Sequence, residues 1–457
     1  MQIKKLQQLG TGAISSLLIV AGLLVLLIMA PVAAQDSDLS VDASQSLGTI
    51  SPYVYGANMG AYSIVPQDMM PQAQALNLKY LRFGGTDSDQ ADVVVSQFDI
   101  FILKSRMLGT EPALTVRLLH GTPEKAAEVV RYINIEKGYN VQFWSIGNEP
   151  NFFEDVIKEP SYNAEDLAKN WREIAEAMKA VDPTIKFVGP DVSQYVPLSI
   201  DGDKITYLEP SGGGDPRDKQ GNDWMQTFLR ANGDLLDVVA IHRYPYPGGN
   251  PNNKSTIDGL RANSREWDTI IPTLRQVIRE AAGRDIPLAI TEFNSDSRQS
   301  SNTDAALDSF YNAIWTADVL GRFIRQQVYI AAFWDIQGGA DRSWGLLSKY
   351  DVRPVYYSYL LYTHLGSELL ASSSADEDVT ITAARRDDGA LTLMVINLGP
   401  DEVTKTLDLT GITPAGEAEV WRFDAEHKAE QIESVDVSAG LTLPGQSATM
   451  YIIPAGQ

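Results

Sequence analysis

The sequence predicts a (β/α)8 barrel followed by an antiparallel β-sandwich, and three observations carry that expectation. Between residues 52 and 366, eight short apolar runs alternate with longer segments of 3.6-residue periodicity. That is the pattern of parallel strands joined by helical crossovers. Beyond Gly366 the apolar period drops to two, with Gly, Asp and Pro between short runs, as in a sandwich. No Gly-rich phosphate fingerprint follows the first strand, so a doubly wound dinucleotide-binding sheet lacks its main signature.

Taken in order, the chain opens with Lys4 and Lys5 ahead of an uncharged stretch, 6–35, whose apolar heart is 17–29. A basic start, an apolar run and the small residues of Pro31-Val32-Ala33-Ala34-Gln35 describe a secretory signal peptide, 1–34, cleaved after Ala34. Left uncleaved, the run approaches the ~20 residues that cross a bilayer and would serve as a membrane anchor. Either way the folded part is expected outside the cytoplasm, secreted or at the cell envelope. Residues 35–50 hold a strand-like segment, 39–44, that could join the sandwich. The barrel is expected over 51–368, with strands at 53–56, 79–83, 113–118, 142–147, 186–189, 238–242, 287–291 and 329–333. Helical patterns lie between them, for example at 163–181 and 304–327. Eight repeats over roughly 280 residues suit a closed barrel better than an open sheet. A long Gly- and Asp-rich insert, 201–223, follows strand five and reads as an irregular loop. The sandwich takes 369–457, with alternating runs at 379–383, 391–397, 403–409, 418–423 and 448–453.

The 457 residues include 37 basic and 59 acidic side chains, a formal charge of −22, which excludes nucleic acid or an anionic membrane as main partner. With no cysteine, a disulfide framework, a thiol nucleophile and Cys-ligated metals are excluded too. The four histidines, His120, His242, His364 and His427, have no ligand-like spacing, so neither metal nor cofactor is expected. Asp87-Ser88-Asp89 and Asp201-Gly202-Asp203 lack the ordered ligand spacing of a calcium loop and read as solvated turns.

Active sites of such barrels lie at the C-terminal ends of the strands. Strand four ends Ser145-Ile146-Gly147-Asn148-Glu149-Pro150, and strand seven ends Ile290-Thr291-Glu292-Phe293. Alternation puts Glu149 on one face with Ser145 and Gly147, and turns Trp144 and Ile146 toward the helices. Strands four and seven face each other across a barrel, so the two carboxyls could flank one bond. Glycoside hydrolysis needs that arrangement: one carboxyl protonates the leaving oxygen while the other attacks or activates water. Trp334, at the end of strand eight, offers a flat face for stacking on a sugar ring, and His120, just past strand three, could line a subsite.

With these motifs the sequence resembles the clan A glycoside hydrolases. The resemblance covers about 51–366 plus the trailing β-domain. Leu81-Arg82-Phe83-Gly84-Gly85-Thr86 and Gly147-Asn148-Glu149-Pro150-Asn151 look like family 79, the heparanase-like enzymes. Ile241-His242-Arg243-Tyr244-Pro245-Tyr246 and Trp344-Gly345-Leu346-Leu347 look equally like families 44, 39 and 51. The resemblance implies a retaining, metal-independent glycosidase with Glu149 as acid/base and Glu292 as nucleophile. It further implies that Arg82 keeps the nucleophile ionised, that Asn148 bonds the sugar 2-hydroxyl, and that His242 and Tyr244 orient nucleophile and sugar. The expected partner is a poly- or oligosaccharide. For a glucuronide, Arg243, Lys254 and Arg342 are the cations placed by loop position to meet a carboxylate. The rival readings are a catalytically inactive carbohydrate-binding protein on the same fold, and a sandwich that does the docking itself.

Overall fold

The computed structural model describes residues 38–455, apart from 61–62, 155–156, 209–214, 249–251, 299–301 and 340–342. The signal segment and Arg342 lie outside the described residues. Among those described, no helix is long and apolar enough to cross a membrane.

Eight parallel strands close into a barrel: Gly56–Met59, Tyr80–Phe83, Glu111–Val116, Phe143–Ile146, Lys186–Ser193, Val238–Arg243, Leu288–Phe293 and Ile330–Phe333. Each pairs with its neighbours in chain order, and the eighth returns to the first, with Phe333 beside Ala57. Two apolar layers build it. Tyr80, Ala113, Phe143, Val188, Val238, Ala240, Ala289 and Ile330 fill the interior. Trp144, Ile146, Phe187, Ile241 and Ile290 belong to the outer layer, packed with helix residues such as Trp171, Trp267 and Trp315. Strands buried on both faces therefore read as continuous apolar runs.

Strand one departs from the expected bounds, since it begins at Gly56 rather than residue 53. Pro52 starts a 3-10 turn, Pro52–Val54, and the Ser51 hydroxyl accepts the Tyr53 amide. Proline fixes φ and has no N–H for a sheet ladder, so this turn prevails over the β propensity of Tyr53 and Tyr55. The shift moves Asn58 from a supposed loop into the barrel. The insert after strand five is also more regular than expected, because Pro197–Asp201 and Lys204–Tyr207 form a hairpin.

The C-terminal sheet has eight strands, ordered Leu407–Thr410, Leu39–Thr49, Glu368–Ser374, Val379–Arg385, Leu391–Asn397, Ser447–Ile453, Ala418–Phe423 and Lys428–Val435. Leu39–Thr49 does join it, antiparallel to Glu368–Ser374 and parallel to Leu407–Thr410. Alternation divides each strand between two cores. Leu391, Leu393, Val395, Tyr451 and Ile453 face a core closed by the ribbon Val403–Lys405 and Leu441–Leu443. Met394, Ile396, Met450, Ile452 and Phe423 belong to the core of the barrel helices. Each such burial stabilises by about 1.5–3 kcal/mol. The shared face thus matches a sizeable part of the 5–15 kcal/mol typical of a whole domain. Cutting the chain between barrel and sheet is therefore not a clean way to separate their roles.

Candidate active site

The C-terminal mouth of the barrel is organised around Arg82. Its side chain, carried by strand two, is fully buried. Nη1 donates to Asn58 Oδ1 and Glu292 Oε1, both at 3.0 Å, and Nη2 donates to Asn148 Oδ1 at 2.9 Å and Asp191 Oδ2 at 3.1 Å. The two glycines that follow it make room. A Cβ on Gly84 would lie 2.6 Å from the guanidinium carbon, and one on Gly85, at φ +109°, would lie 2.8 Å from the Trp334 ring.

Glu149 stands on the turn after strand four, in the left-handed region at φ 50° and ψ 55°. The turn is held from below by Asp89, whose carboxylate accepts the amides of Leu118 at 2.7 Å, Leu119 at 2.9 Å and Asn148 at 2.7 Å. The Glu149 amide itself donates to the Asp191 carbonyl at 3.2 Å. Asn151 brackets the backbone of Ser193 with both ends of its amide. On strand seven, a register shift against strand six lies between Ile290 and Glu292. Such an irregularity re-aims side chains. Here it lets two consecutive residues serve the interior: Thr291 donates to Asp191 Oδ1 at 2.5 Å while Glu292 meets Arg82.

His242 and Tyr244, on and just past strand six, join the two glutamates. His242 Nδ1 lies 3.1 Å from Glu149 Oε1 and 3.6 Å from Glu292 Oε2, and the Tyr244 hydroxyl donates to Glu292 Oε2 at 2.9 Å. One donor atom from each of Glu149, His242 and Glu292 lies within 4.8 Å of the others.

The charges balance in a definite way. Burial opposes a cation at His242, but Glu292, Asp191 and Glu149 together raise it to about 9, so it carries a proton at neutral pH. Burial also opposes the Arg82 charge, and Asp191 and Glu292 outweigh it, holding the guanidinium above its usual range. Asp191 is pushed up by burial and pulled down further by Arg82 and His242, to about 2. For Glu292, burial pushes the carboxyl up and Glu149 adds to the push; His242, Arg82 and Tyr244 pull back toward the anion without cancelling it, so the carboxyl stays above its ordinary value. The three convergent donors could in geometry hold a metal ion. A dication there would sit against the Arg82 guanidinium and the His242 proton, so the set suits proton and carboxylate chemistry better.

Above this floor opens a cavity of about 430 Å³, lined by Asn148, Glu149, Gln194, Tyr244, Glu292, Trp334 and Trp344 among others. Trp334 and Trp344 meet edge to face, with centroids 6.1 Å apart. The seven residues singled out by sequence, Glu149, Glu292, Asn148, Arg82, His242, Tyr244 and Trp334, are thus all brought to one place. Others are not. His120 is exposed and pairs with Glu159 at 3.1 Å. Arg243 is buried away from the cavity, bonded to both Glu266 oxygens and to Gln194. Lys254 is exposed and does not line the cavity. Asp89 is no solvated turn: it is 1 % exposed, and burial, opposed by its three backbone bonds, raises it to about 6.

Sequence reasoning missed Asn58 and Asp191, and quoted Trp344 in a motif without giving it a place in the site. Asp191 carried a usable signal, since it stands two residues past the expected end of strand five, at a strand end where barrel function concentrates. Asn58 was hidden by the shifted first strand. Trp344 comes from a loop after strand eight, whose course no periodicity encodes.

No protein-family profile matches the chain. It is 23% identical over 447 residues to endoglucanase A of Paenibacillus lautus, covering 87% of this chain and 59% of that protein. It spans about half the length of the curated relatives it matches. Among solved structures, a bifunctional glucanase-xylanase from a metagenome library superposes with a TM-score of 0.70 at 20% identity, over 92% of this chain and 99% of that one. The α-L-arabinofuranosidase of Thermotoga maritima superposes with a TM-score of 0.69 at 18% identity, over 92% and 100%. At these identities the likeness establishes the barrel-and-sandwich fold.

Proposed function

We propose that the chain is a retaining glycoside hydrolase acting on extracytoplasmic poly- or oligosaccharides, with Glu149 as acid/base and Glu292 as nucleophile. The observation that carries this is the close pairing of the two carboxyls, within 4.8 Å through their nearest oxygens, on the floor of an aromatic-walled cavity. Retaining enzymes keep their carboxyls ~5–5.5 Å apart, whereas inverting ones leave ~6.5–9.5 Å for a water. Glu292 attacks the anomeric carbon as Glu149 gives its proton to the departing oxygen, so the C–O bond to the leaving group breaks and an ester to Glu292 forms. Glu149, now ionised, takes a proton from water, whose oxygen displaces Glu292 and restores the starting state. Arg82, Tyr244 and His242 all favour the Glu292 carboxylate, the form that attacks.

Among the described residues, no Lys or Arg lines the cavity, and Arg243 is bound up with Glu266. On the described lining a neutral sugar ring therefore suits it better than a uronate, Arg342 lying outside the described residues. This favours the family 44 and 51 side of the sequence resemblance over the heparanase-like one. The names of its relatives divide: an endoglucanase and a beta-xylosidase agree with a neutral sugar, whereas a hyaluronoglucuronidase of Hirudo nipponia, 20% identical over 306 residues, does not.

Hydrolysis of aryl β-glucosides, β-xylosides, α-L-arabinofuranosides and glucuronides, with β-glucan and xylan as polymers, tests the reading. Cleavage of a neutral glycoside is expected; sugar binding without product from any of them would instead make the chain a binding protein. Activity should be unchanged in EDTA, and a loss that a divalent ion restores would reveal a metal the mechanism omits. Glu149→Gln should lose roughly 10²–10⁴-fold on poor leaving groups, the usual share of general acid catalysis. It should still release a burst of phenol from dinitrophenyl glycosides, which need no proton to depart. Equal losses across leaving groups would remove Glu149 from the acid role.

A further inference from the structure

We propose that Asp191 is the positioning residue that locks the acid/base and nucleophile halves of the site together. Strand five has a register shift between Pro190 and Val192, and Asp191 sits on it at φ 58°. The shift turns the Asp191 carboxylate into the barrel, where it is 1 % exposed. Its side chain serves the nucleophile: Oδ2 accepts Arg82, which holds Glu292, and Oδ1 accepts the hydroxyl of Thr291, the residue preceding Glu292. Its carbonyl serves the acid/base, accepting the Glu149 amide at 3.2 Å. His242 lies between the halves. Its Nε2 is buried and faces Asp191 Oδ1 at 3.7 Å.

The groups facing this cluster are Arg82 and Tyr80 from strand two, Glu149 from the strand-four turn, His242 and Tyr244 from strand six, Thr291 and Glu292 from strand seven, and Asp335 just past strand eight. Asp191 is the carboxylate that meets both Arg82 and His242 and has no bond to make or break in catalysis. Its charge keeps the His242 proton and the Arg82 guanidinium compensated whatever the state of the two glutamates. The inference rests on the proposed hydrolase for its catalytic meaning, but its physical core does not need turnover.

The test is therefore read first without substrate. The chain has only four histidines, so ¹⁵N-histidine NMR of the whole protein can follow His242. In the wild type its titration midpoint should lie far above the ordinary 6.5, at about 9. In Asp191→Asn it should fall by about one unit or more, the usual effect of losing an opposite charge at this range. With the best neutral glycoside, kcat should drop with KM little changed. A wild-type midpoint near 6.5 overturns the proposal even if the variant fails to fold, and so does an unchanged midpoint in a folded variant. If no glycoside is cleaved yet the midpoint shifts, the hydrolase reading fails and the placing of Asp191 stands.

Discussion

Glu292→Gln is expected to abolish turnover of every substrate alike, by a factor on the order of 10⁶, the scale seen when a covalent nucleophile is removed. The amide keeps the shape of the side chain, so Arg82 and Tyr244 can stay near their places, but it cannot form the glycosyl ester. Good and poor leaving groups should suffer equally, because either departs only as the bond to Glu292 forms. That uniformity distinguishes Glu292 from Glu149, whose loss should sort substrates by leaving group. A burst of phenol surviving in Glu292→Gln would mean that the two roles are reversed.

Arg82→Met is expected to cost about 3–5 kcal/mol of stability at pH 7, because it leaves the Asp191 and Glu292 carboxylates buried without their shared cation. The pH dependence gives the loss its signature. In the wild type the Asp191 carboxyl is held at about 2, below its ordinary 3.8. It therefore contributes stability that is fully present above pH 3.8 and is lost as pH falls through about 2. Without Arg82, burial dominates and the carboxyl rises above its ordinary value. Its contribution then changes sign: the variant is least impaired below about pH 4 and progressively more impaired as pH rises. Denaturant unfolding of both proteins between pH 4 and 8 measures this. A small, pH-independent deficit would show that the guanidinium is not the counter-charge of the site.

How much of this was legible in sequence depended on what each residue type must do. The barrel was readable because strands buried between two apolar layers leave long Val, Ile and Ala runs, as at Val238–Arg243. Glu149 and Glu292 were readable because a strand end is a place with a function. Strands Glu368–Ser374 and Lys428–Val435 were not, being Ser-rich in one case and largely exposed and charged in the other. At the site, the residues missed are those defined by irregularity. Asp191 depends on a register shift that no alternation rule anticipates, and Thr291 and Glu292 both face inward only because strand seven shifts too. Asp89 looked like one acid in a polar turn until the fold brought three amides from two other strand ends onto it.

The central claim is that a sugar passes through an ester on Glu292. Glu149→Gln, treated with the dinitrophenyl glycoside the wild type cleaves best, should accumulate that ester, since it retains the nucleophile and lacks the base for water. Mass spectrometry of the intact protein, then of its peptic digest at low pH, reads the outcome. One added glycosyl mass on the peptide containing Glu292 is the predicted result. A glycosyl group on any other residue, or phenol released in a burst with no adduct on the protein, would contradict it.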